Sequence, residues 1–217
     1  MMNTQVIRLE KAQISQATET LVNAFSKDPI FDYILPEAIN QRDKVSRNLW
    51  EATLRYSQPL NHIYTTPEIK GIASWIPPGQ YPLNLLQILQ AGFYKIPFLL
   101  GFKGLKKFLP LFTLFDKYHE QDMHQPHWYL FALGVSSAYQ SQGIGSFLIQ
   151  PILERADKEN LPCYLETSTE KAVSFYQKNG FEILRIEEEP VKFWTINGIT
   201  CYSLFLTPSS KLLTVNC

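Results

Sequence analysis

The chain has 217 residues, of which 45% are apolar and 18% are charged, and its formal net charge is zero. This composition excludes a largely disordered protein and predicts one globular domain spanning residues 1–217. A neutral chain without a long basic run gives no electrostatic reason to expect nucleic acid as the partner. The start of the chain lacks the apolar core of a signal peptide, and the three cysteines form no CxxC pair. We therefore expect a cytoplasmic protein with reduced thiols.

Hydrophobic periodicity and turn residues predict the elements of the first part of the chain. They are expected in this order: a strand at 5–10, helices at 14–26, 30–35 and 38–57, and a hairpin of strands at 62–65 and 70–76. Asp28-Pro29 should separate the first two helices, because a residue that precedes proline avoids the helical region.

Residues 82–124 are predicted to be a helical insertion within the domain. Two apolar helices, at about 82–101 and 103–122, should meet at a joint formed by Gly101 and Gly104. Lysines and prolines interrupt the apolar run, so no membrane span is expected. Three roles remain open for it: extra core, an apolar wall over a binding site, or an interfacial helix whose lysines face anionic lipid.

The last part of the chain alternates strands and helices, which predicts a mixed α/β (α+β) fold. A continuous apolar strand at 127–135 should be buried on both faces. It is followed by a helix that begins near Ile144 and should bend at Pro151, a strand at 162–168, a helix at 170–178, and strands at 181–188 and 192–206 with a turn at Asn197-Gly198.

The segment YQSQGIGSF, residues 139–147, joins the 127–135 strand to the following helix. The first turn of a helix presents unpaired N–H groups that attract phosphates, and glycine allows a ligand to approach the backbone closely. A nucleotide-triphosphate loop is excluded because the GxxxxGK[ST] pattern is absent. A dinucleotide loop remains an alternative, with Glu166 as its ribose-binding acid, although position 148 is Leu rather than Gly.

Two motifs resemble the GNAT superfamily of N-acetyltransferases. Gln140, Gly143 and Gly145 match the family's Q/R-x-x-G-x-G/A loop for acyl-coenzyme A. Residues 174–183, SFYQKNGFEI, match its second signature, Y-x-x-x-G-F. Within the family, the segments WYLFALGV, GIGSFLIQPIL and LPCYLETST look most like the small-amine acetyltransferases that include puromycin N-acetyltransferase.

The resemblance implies a central, mostly antiparallel sheet with a splayed pair of parallel strands, flanking helices, and acetyl-CoA as acyl donor without a metal. A bulge on the first splayed strand is expected at Gly134. The residues expected to bind the cofactor are Leu133, Gly134, Val135, Gln140, Ser141, Gln142, Gly143, Ile144, Gly145, Ser146, Thr169 and Phe175.

The chain departs from the family pattern at two places. Ser141-Gln142 stands where the family often has a basic residue, so a cation near the diphosphate is expected to be missing. Thr169 and Ala172 occupy the candidate places of an asparagine that contacts the pantetheine arm.

The resemblance also implies the chemistry. Tyr176 matches the tyrosine that acts as general acid toward the leaving thiolate, and Glu166 is the candidate base, with Asp28, Asp32 or a water chain as alternatives. The expected function is direct transfer of acetyl to a primary amine of a small molecule in a ternary complex, by a monomer or homodimer. A non-catalytic acyl-CoA-binding module and a dinucleotide-binding oxidoreductase remain alternatives. HEQDMH at 119–124 lacks the HExxH spacing of a zinc site.

Overall fold

The computed structural model describes residues 5–35, 39–188 and 190–198. Seven strands form one sheet in the order β1-β2-β3-β4-β5-β7-β6. The strands are β1 (Ile7–Arg8), β2 (Ile63–Thr65), β3 (Gly71–Ile76), β4 (Trp128–Val135), β5 (Cys163–Thr167), β6 (Phe181–Glu187) and β7 (Phe193–Gly198).

Seven α-helices accompany the sheet in the described part of the chain. They are α1 (Ile14–Ala24), α2 (Pro29–Ile34), α3 (Ile39–Ser57), α4 (Leu85–Ala91), α5 (Ile96–Asp122), α6 (Ile144–Glu159) and α7 (Glu170–Lys178). The Asp28 side chain caps α2 by accepting a hydrogen bond from the Ile30 N–H group, and Pro29 occupies the first helical position, where no N–H group is needed. The predicted mixed α/β architecture is confirmed.

One pair of neighbouring strands, β4 and β5, is parallel, and every other pair is antiparallel. The parallel strands pair only where they begin, through Trp128 with Cys163 and Tyr129 with Tyr164. Beyond these pairs β4 continues to Val135 beside β3 alone. The two strands therefore splay apart, as the family resemblance implied, and leave an opening in the sheet.

The bulge in β4 lies at Phe131, and the expectation of a bulge at Gly134 is wrong. Ser74 pairs with Ala132 and Trp75 with Leu130, so Phe131 is the extra residue, whereas Gly134 pairs regularly with Ile72. A Cβ atom at position 134 would lie 2.8 Å from Leu21 Cδ2. Gly134 is therefore needed for the close packing of α1 on the sheet.

The helical insertion has a break that was not predicted, in addition to the one expected at Gly101. Helix α4 ends at Ala91, because Gly92 adopts a left-handed conformation with φ 106°. Gly101, with φ 61° and ψ −178°, does interrupt α5, as expected. Gly104 stays helical, and a Cβ atom there would meet Leu100 Cβ at 3.2 Å, so this glycine serves packing instead of a joint.

Two further expectations for the strands are corrected. Residues along β4 alternate between buried and half-buried, and residues 129–135 border a cavity, so the strand is not covered by core on both faces. The turn expected at Asn197-Gly198 is wrong, since both residues belong to β7 and pair with β5 and β6. Of the strand predicted at 192–206, residues 199–206 lie outside the described residues.

Within the described residues, no single helix combines the length and apolarity needed to cross a membrane. Only the bent pair Leu85–Ala91 and Phe93–Asp122, which turns by 73°, meets the length and composition required when taken together.

Candidate active site

The loop of residues 140–146, hereafter the glycine loop, leaves its main-chain donors unused. Ser141 and Gly143 both have positive φ, at 61° and 78°, and Gly143 is the residue that precedes α6. In the described part of the chain, no N–H group of residues 141–146 donates to a protein acceptor. The donors therefore remain available at the positive end of the helix dipole, which is the arrangement that binds a diphosphate.

The two glycines of the motif serve different purposes. Gly143 has the left-handed conformation that favours glycine, and a Cβ atom there would meet nothing nearer than Phe147 Cε2 at 3.6 Å. Gly145 lies under α7, since its Cβ atom would come within 3.1 Å of Phe175 Cζ. The first glycine thus shapes the loop, and the second allows the α7 side chain to pack against the start of α6.

The end of β4 faces the opening between the splayed strands. The Ser136 N–H group donates to the Lys70 carbonyl oxygen, whereas the Val135 carbonyl oxygen accepts a hydrogen bond from Gln140 Nε2 at 3.1 Å. Successive residues of a strand direct their main-chain groups alternately to its two sides. Those of Ser136 point toward β3, so those of Leu133 and Val135 point away from it. They lie in the sheet opening, beside the glycine loop.

Lys171 supplies a positive charge that the sequence interpretation expected to be missing. Its Nζ atom donates to Gln140 Oε1 at 2.8 Å, and its side chain borders the same cavity as the glycine loop. The family's basic residue belongs to the loop itself, whereas this cation comes from the first turn of α7. The signal available in the sequence was the position of Lys171 two residues after Thr169, which caps this helix and was itself predicted to bind the cofactor.

The other cofactor candidates on α7 have structural roles as well. Thr169 caps the helix, its hydroxyl oxygen accepting from the Ala172 N–H group at 3.3 Å. Phe175 packs on Gly145, and its ring contacts that of Tyr176 with centroids 5.1 Å apart. Both residues border the cavity.

A cavity of about 940 Å³ connects the glycine loop with the splayed strands and with the helices on the other side. Its volume lies at the upper end of the range for small-molecule and cofactor sites. Of the residues proposed from the sequence, those bordering it are Leu133, Gly134, Val135, Gln140, Ser141, Gly143, Ile144, Gly145, Ser146, Glu166, Thr169, Phe175 and Tyr176. Gln142 does not border it, and its side chain donates to the Ala138 carbonyl oxygen.

Tyr176 is only 6% exposed, and it borders this cavity. Burial raises the pKa of its phenol, so the hydroxyl group is protonated at neutral pH. That hydroxyl group forms no hydrogen bond with any described residue. It is therefore a proton donor that remains available to a ligand.

Glu166 lies near the end of β5 and shares the cavity with Tyr176. Burial raises the pKa of its carboxyl group to about 8, and the phenol groups of Tyr129 and Tyr164 oppose this shift. A carboxyl group with a pKa near the working pH exchanges a proton readily, which is the property of a general base.

A pair of buried histidines stands behind Glu166, and neither was proposed as a site residue from the sequence. His119 Nδ1 lies 3.6 Å from Glu166 Oε1, and His119 Nε2 lies 2.7 Å from His127 Nε2. The sequence interpretation considered His119 with His124, which occur in one short segment. The structure pairs His119 with His127 instead, which lies at the start of β4, a partner that no local spacing indicates.

The two aspartates considered as alternative bases are placed differently. Asp28 borders the cavity, but its carboxylate caps α2 and accepts from Ser168 Oγ at 2.8 Å. Asp32 does not border the cavity and forms an ion pair with Arg42. Burial raises the pKa of the Asp28 carboxyl group as well, so Asp28 differs from Glu166 in that the Ile30 N–H group and the Ser168 hydroxyl group already donate to its carboxylate.

The cavity wall opposite the glycine loop is apolar and aromatic. Phe25 and Trp50 stack with ring centroids 4.4 Å apart, and Phe108 and Phe112 stack at 4.1 Å. Phe115 extends this wall toward β7. The helical insertion thus contributes side chains to the cavity through α5.

Other chemistry considered from the sequence has no support at this site. No group of three or more His, Cys, Asp or Glu residues in the described ranges is arranged to hold a metal ion. Cys163 is buried in β5 and does not border the cavity, and burial raises the pKa of its thiol, so it is a protonated core residue.

Residues 99–181 match the model of the Acetyltransferase (GNAT) family. Over 181 residues the chain is 32% identical to an uncharacterised N-acetyltransferase of Schizosaccharomyces pombe, an alignment that covers 80% of this chain and 72% of the yeast protein. The chain therefore belongs to the GNAT family of acetyltransferases and is an acyltransferase of the acetyl-CoA-dependent class.

Solved structures share the fold at lower identity. The crystal structure of histone acetyltransferase HPA2 and related acetyltransferase from Corynebacterium glutamicum is 22% identical, with a TM-score of 0.61 over 91% of this chain and 96% of that one. Arylalkylamine N-acetyltransferase 2 from Aedes aegypti is 14% identical, also with a TM-score of 0.61, over 91% of this chain and 99% of that one. At these identities the likeness defines the fold alone.

Proposed function

We propose that this acetyltransferase moves the acetyl group of acetyl-CoA directly to a primary amine of a small molecule within a ternary complex. The observation that carries the proposal is the shared cavity of about 940 Å³, which is bordered both by the glycine loop with its free main-chain donors and by Tyr176 and Glu166. A donor and an acceptor fit in one such site, so no covalent enzyme intermediate is needed.

The glycine loop is the proposed seat of the coenzyme A diphosphate. Its free N–H groups and the ammonium group of Lys171 match the negative charge of that group. In the sheet opening, the main-chain groups of Leu133 and Val135 would pair with the pantetheine arm, as a neighbouring strand would. This arrangement directs the thioester toward Tyr176.

The proposed roles of Glu166 and Tyr176 follow from their protonation states. The amine nitrogen attacks the thioester carbon, and its proton passes to the Glu166 carboxylate. The carbon–sulfur bond then breaks, and the Tyr176 hydroxyl group donates its proton to the thiolate. The Tyr176 phenol stays protonated and can act as the acid, whereas the Glu166 carboxyl group titrates near neutral pH and can act as the base.

The apolar wall supports an acceptor with an aromatic or alkyl body. Trp50, Phe108 and Phe112 offer ring faces, whereas Glu166 and Asp28 are carboxyl groups on the same cavity that suit an amine. The Aedes aegypti enzyme, named for arylalkylamines, has a fold similar to this one, which is consistent with that acceptor class.

Thiol release from acetyl-CoA with a panel of arylalkyl, alkyl and polyamine acceptors tests the proposal. We expect turnover with at least one primary amine, its loss in Tyr176→Phe and Glu166→Gln, and unchanged coenzyme A binding by calorimetry. Tyr118→Phe and Glu154→Gln, which lie away from the cavity, are the matched controls and should retain activity. Coenzyme A binding without turnover for any amine would favour a binding module, and NAD binding in its place would contradict the proposal.

A further inference from the structure

The exposed side of α4 and α5 combines large apolar side chains with positive charge. We call it the basic apolar face, made of Leu85, Leu86, Leu89, Tyr94, Lys95, Phe98, Phe102, Lys103, Lys106 and Leu109. Phe98 is 85% exposed and Phe102 is 75% exposed, values that are unfavourable for aromatic residues in water. Large apolar side chains exposed in this number on two successive helices mark a place where another surface binds.

The charges on this face indicate what that surface is. Lys95, Lys103 and Lys106 are exposed, and none forms an ion pair with a described residue. The sequence has no Asp or Glu from residue 69 to residue 115, although the whole chain has zero net charge. A two-fold contact between copies of this chain would set these lysines against each other without a carboxylate to pair them.

We propose that the basic apolar face binds the surface of an anionic lipid bilayer. Phe98 and Phe102 insert among the acyl chains close to the headgroups, and the lysines contact lipid phosphates and carboxylates. The opposite side of α5 borders the active-site cavity through Leu100, Phe108 and Phe112. The helix is therefore positioned between the bilayer and the acceptor wall.

Co-sedimentation of the full chain with vesicles tests this binding. We expect pelleting with vesicles of phosphatidylcholine and phosphatidylserine, weaker pelleting at high salt, and little with phosphatidylcholine alone. Phe98→Ser with Phe102→Ser, and separately Lys103→Gln with Lys106→Gln, should each reduce the partition coefficient by roughly tenfold.

The controls use exposed residues elsewhere, Leu184→Ser with Ile186→Ser on β6 and Lys158→Gln on α6, which should bind vesicles as the wild type does. Thermal unfolding confirms that each variant is folded. Absence of pelleting, or pelleting that the face variants do not change, would overturn the proposal. So would light scattering that shows a dimer in the wild type and a monomer in Phe98→Ser with Phe102→Ser, because the face would then bind a second copy.

An independent observation concerns the histidine pair and rests on the proposed role of Glu166. His127 Nδ1 lies 2.8 Å from the Gln125 carbonyl oxygen, which only accepts, so His127 carries its proton on Nδ1. Burial lowers the pKa of both histidines, that of His119 to about 3, so both are neutral. His127 Nε2 is then an acceptor, His119 Nε2–H is the donor across 2.7 Å, and His119 Nδ1 carries a lone pair.

That lone pair faces Glu166 Oε1 at 3.6 Å, and Oε1 has no hydrogen-bond partner among the described residues. We propose that His127 is a positioning residue that fixes the His119 tautomer and thereby favours the protonated form of Glu166. Titratable groups from several elements surround Glu166. They are Asp116 and His119 from α5, His127 just before β4, Tyr129 from β4, Tyr164 from β5, and Tyr81 from the segment before α4. Among these only Asp116 has a carboxyl group, and its negative charge also disfavours the Glu166 carboxylate.

Replacement of His127 by Phe removes the acceptor for His119 Nε2–H. His119 is then free to place its proton on Nδ1 and donate to the Glu166 carboxylate, which favours the charged form. We expect the midpoint of the pH profile of kcat/KM to fall by about one unit in His127→Phe, with activity retained. His124→Phe, at the neighbouring histidine, should leave the midpoint unchanged.

A midpoint that stays or rises in an active, folded His127→Phe variant would overturn the tautomer proposal and leave the proposed function intact. Wild-type protein without turnover for any amine would instead count against the proposed function. Nitrogen-15 chemical shifts of the His119 ring provide a second readout, since they report which nitrogen carries the proton. A protonated Nδ1 in the wild type would also overturn the proposal.

Discussion

The two ends of the active-site cavity are built by different means. At the glycine loop, the chain offers main-chain N–H groups whose positions follow from a strand that runs into a helix. At the opposite end, Glu166 and the aromatic wall depend on side chains from distant segments that meet only in the fold. The first end suits a cofactor of fixed structure, and the second suits an acceptor that differs from one enzyme to another.

The largest effect is expected at Tyr176, where the two ends meet. Tyr176→Phe removes the proposed proton donor to the thiolate and should lower kcat by about 10²–10⁴-fold. Because the hydroxyl group forms no hydrogen bond within the described protein, the unfolding temperature should change little. Single-turnover kinetics measure the chemical step, and a rate equal to the wild type would show that Tyr176 is only a core residue.

Glu166 makes the acceptor end dependent on pH. In the proposed mechanism its active form is the carboxylate, which becomes populated as the pH rises through its pKa of about 8, so kcat/KM should rise over that range. The pKa of Glu166 in the folded protein lies above its ordinary value, so the folded state binds more protons than the unfolded state does. The free energy of unfolding should therefore fall as the pH rises toward and through the folded-state pKa. Glu166→Gln should abolish both dependences. The profiles of activity and of thermal unfolding check them, and a pH-independent wild type would contradict this role.

The packing of Gly145 under Phe175 tests the cofactor end. Gly145→Ala places a methyl group about 3.1 Å from the Phe175 ring and should displace the loop. Such overpacking costs about 1–3 kcal/mol and should weaken coenzyme A binding by roughly tenfold. Phe175→Leu in the same chain removes the contacting ring atoms and should recover most of the affinity. Calorimetric titration measures both variants, and a weakened Gly145→Ala that Phe175→Leu does not rescue would argue against this contact.

A smaller effect is expected from the cation beside the loop. Lys171→Met should weaken coenzyme A binding about three- to tenfold at low salt, and less at high salt, since the contact is solvent-exposed. Lys178→Met, at the far end of α7, should leave the affinity unchanged. Equal losses in both variants would indicate a general charge effect instead of a contact.

The smallest predicted effect concerns the start of α7. Thr169→Ala removes the hydroxyl group that caps this helix and should lower the free energy of unfolding by about 1 kcal/mol. Chemical denaturation measures this value. If coenzyme A affinity falls more than stability does, Thr169 also contacts the pantetheine arm.

The glycine loop could be recognised in the sequence because its signals are local. Gly143 and Gly145 occur in one short segment, and the alternation of strand and helix around them identifies the loop. Gly134 was misinterpreted as a bulge, because its need for a small residue comes from Leu21, which is far away in the sequence. Lys171 was missed for a similar reason, since its partner Gln140 lies in a different element.

The acceptor end could not be predicted to the same extent. His119 and His127 are brought together by the junction of α5 and β4, and their effect on Glu166 depends on ring orientation. No residue spacing specifies such an orientation. The aromatic wall likewise uses residues of the insertion, whose helix break at Gly92 was not expected.

The most direct measurement compares the binding of coenzyme A with that of pantetheine, which has the same arm but no diphosphate. We predict that calorimetry will detect coenzyme A at micromolar concentrations and pantetheine only far more weakly, and that Gly145→Ala will reduce this difference. Equal affinity for the two molecules would contradict the assignment of the main-chain donors at residues 141–146 to a diphosphate.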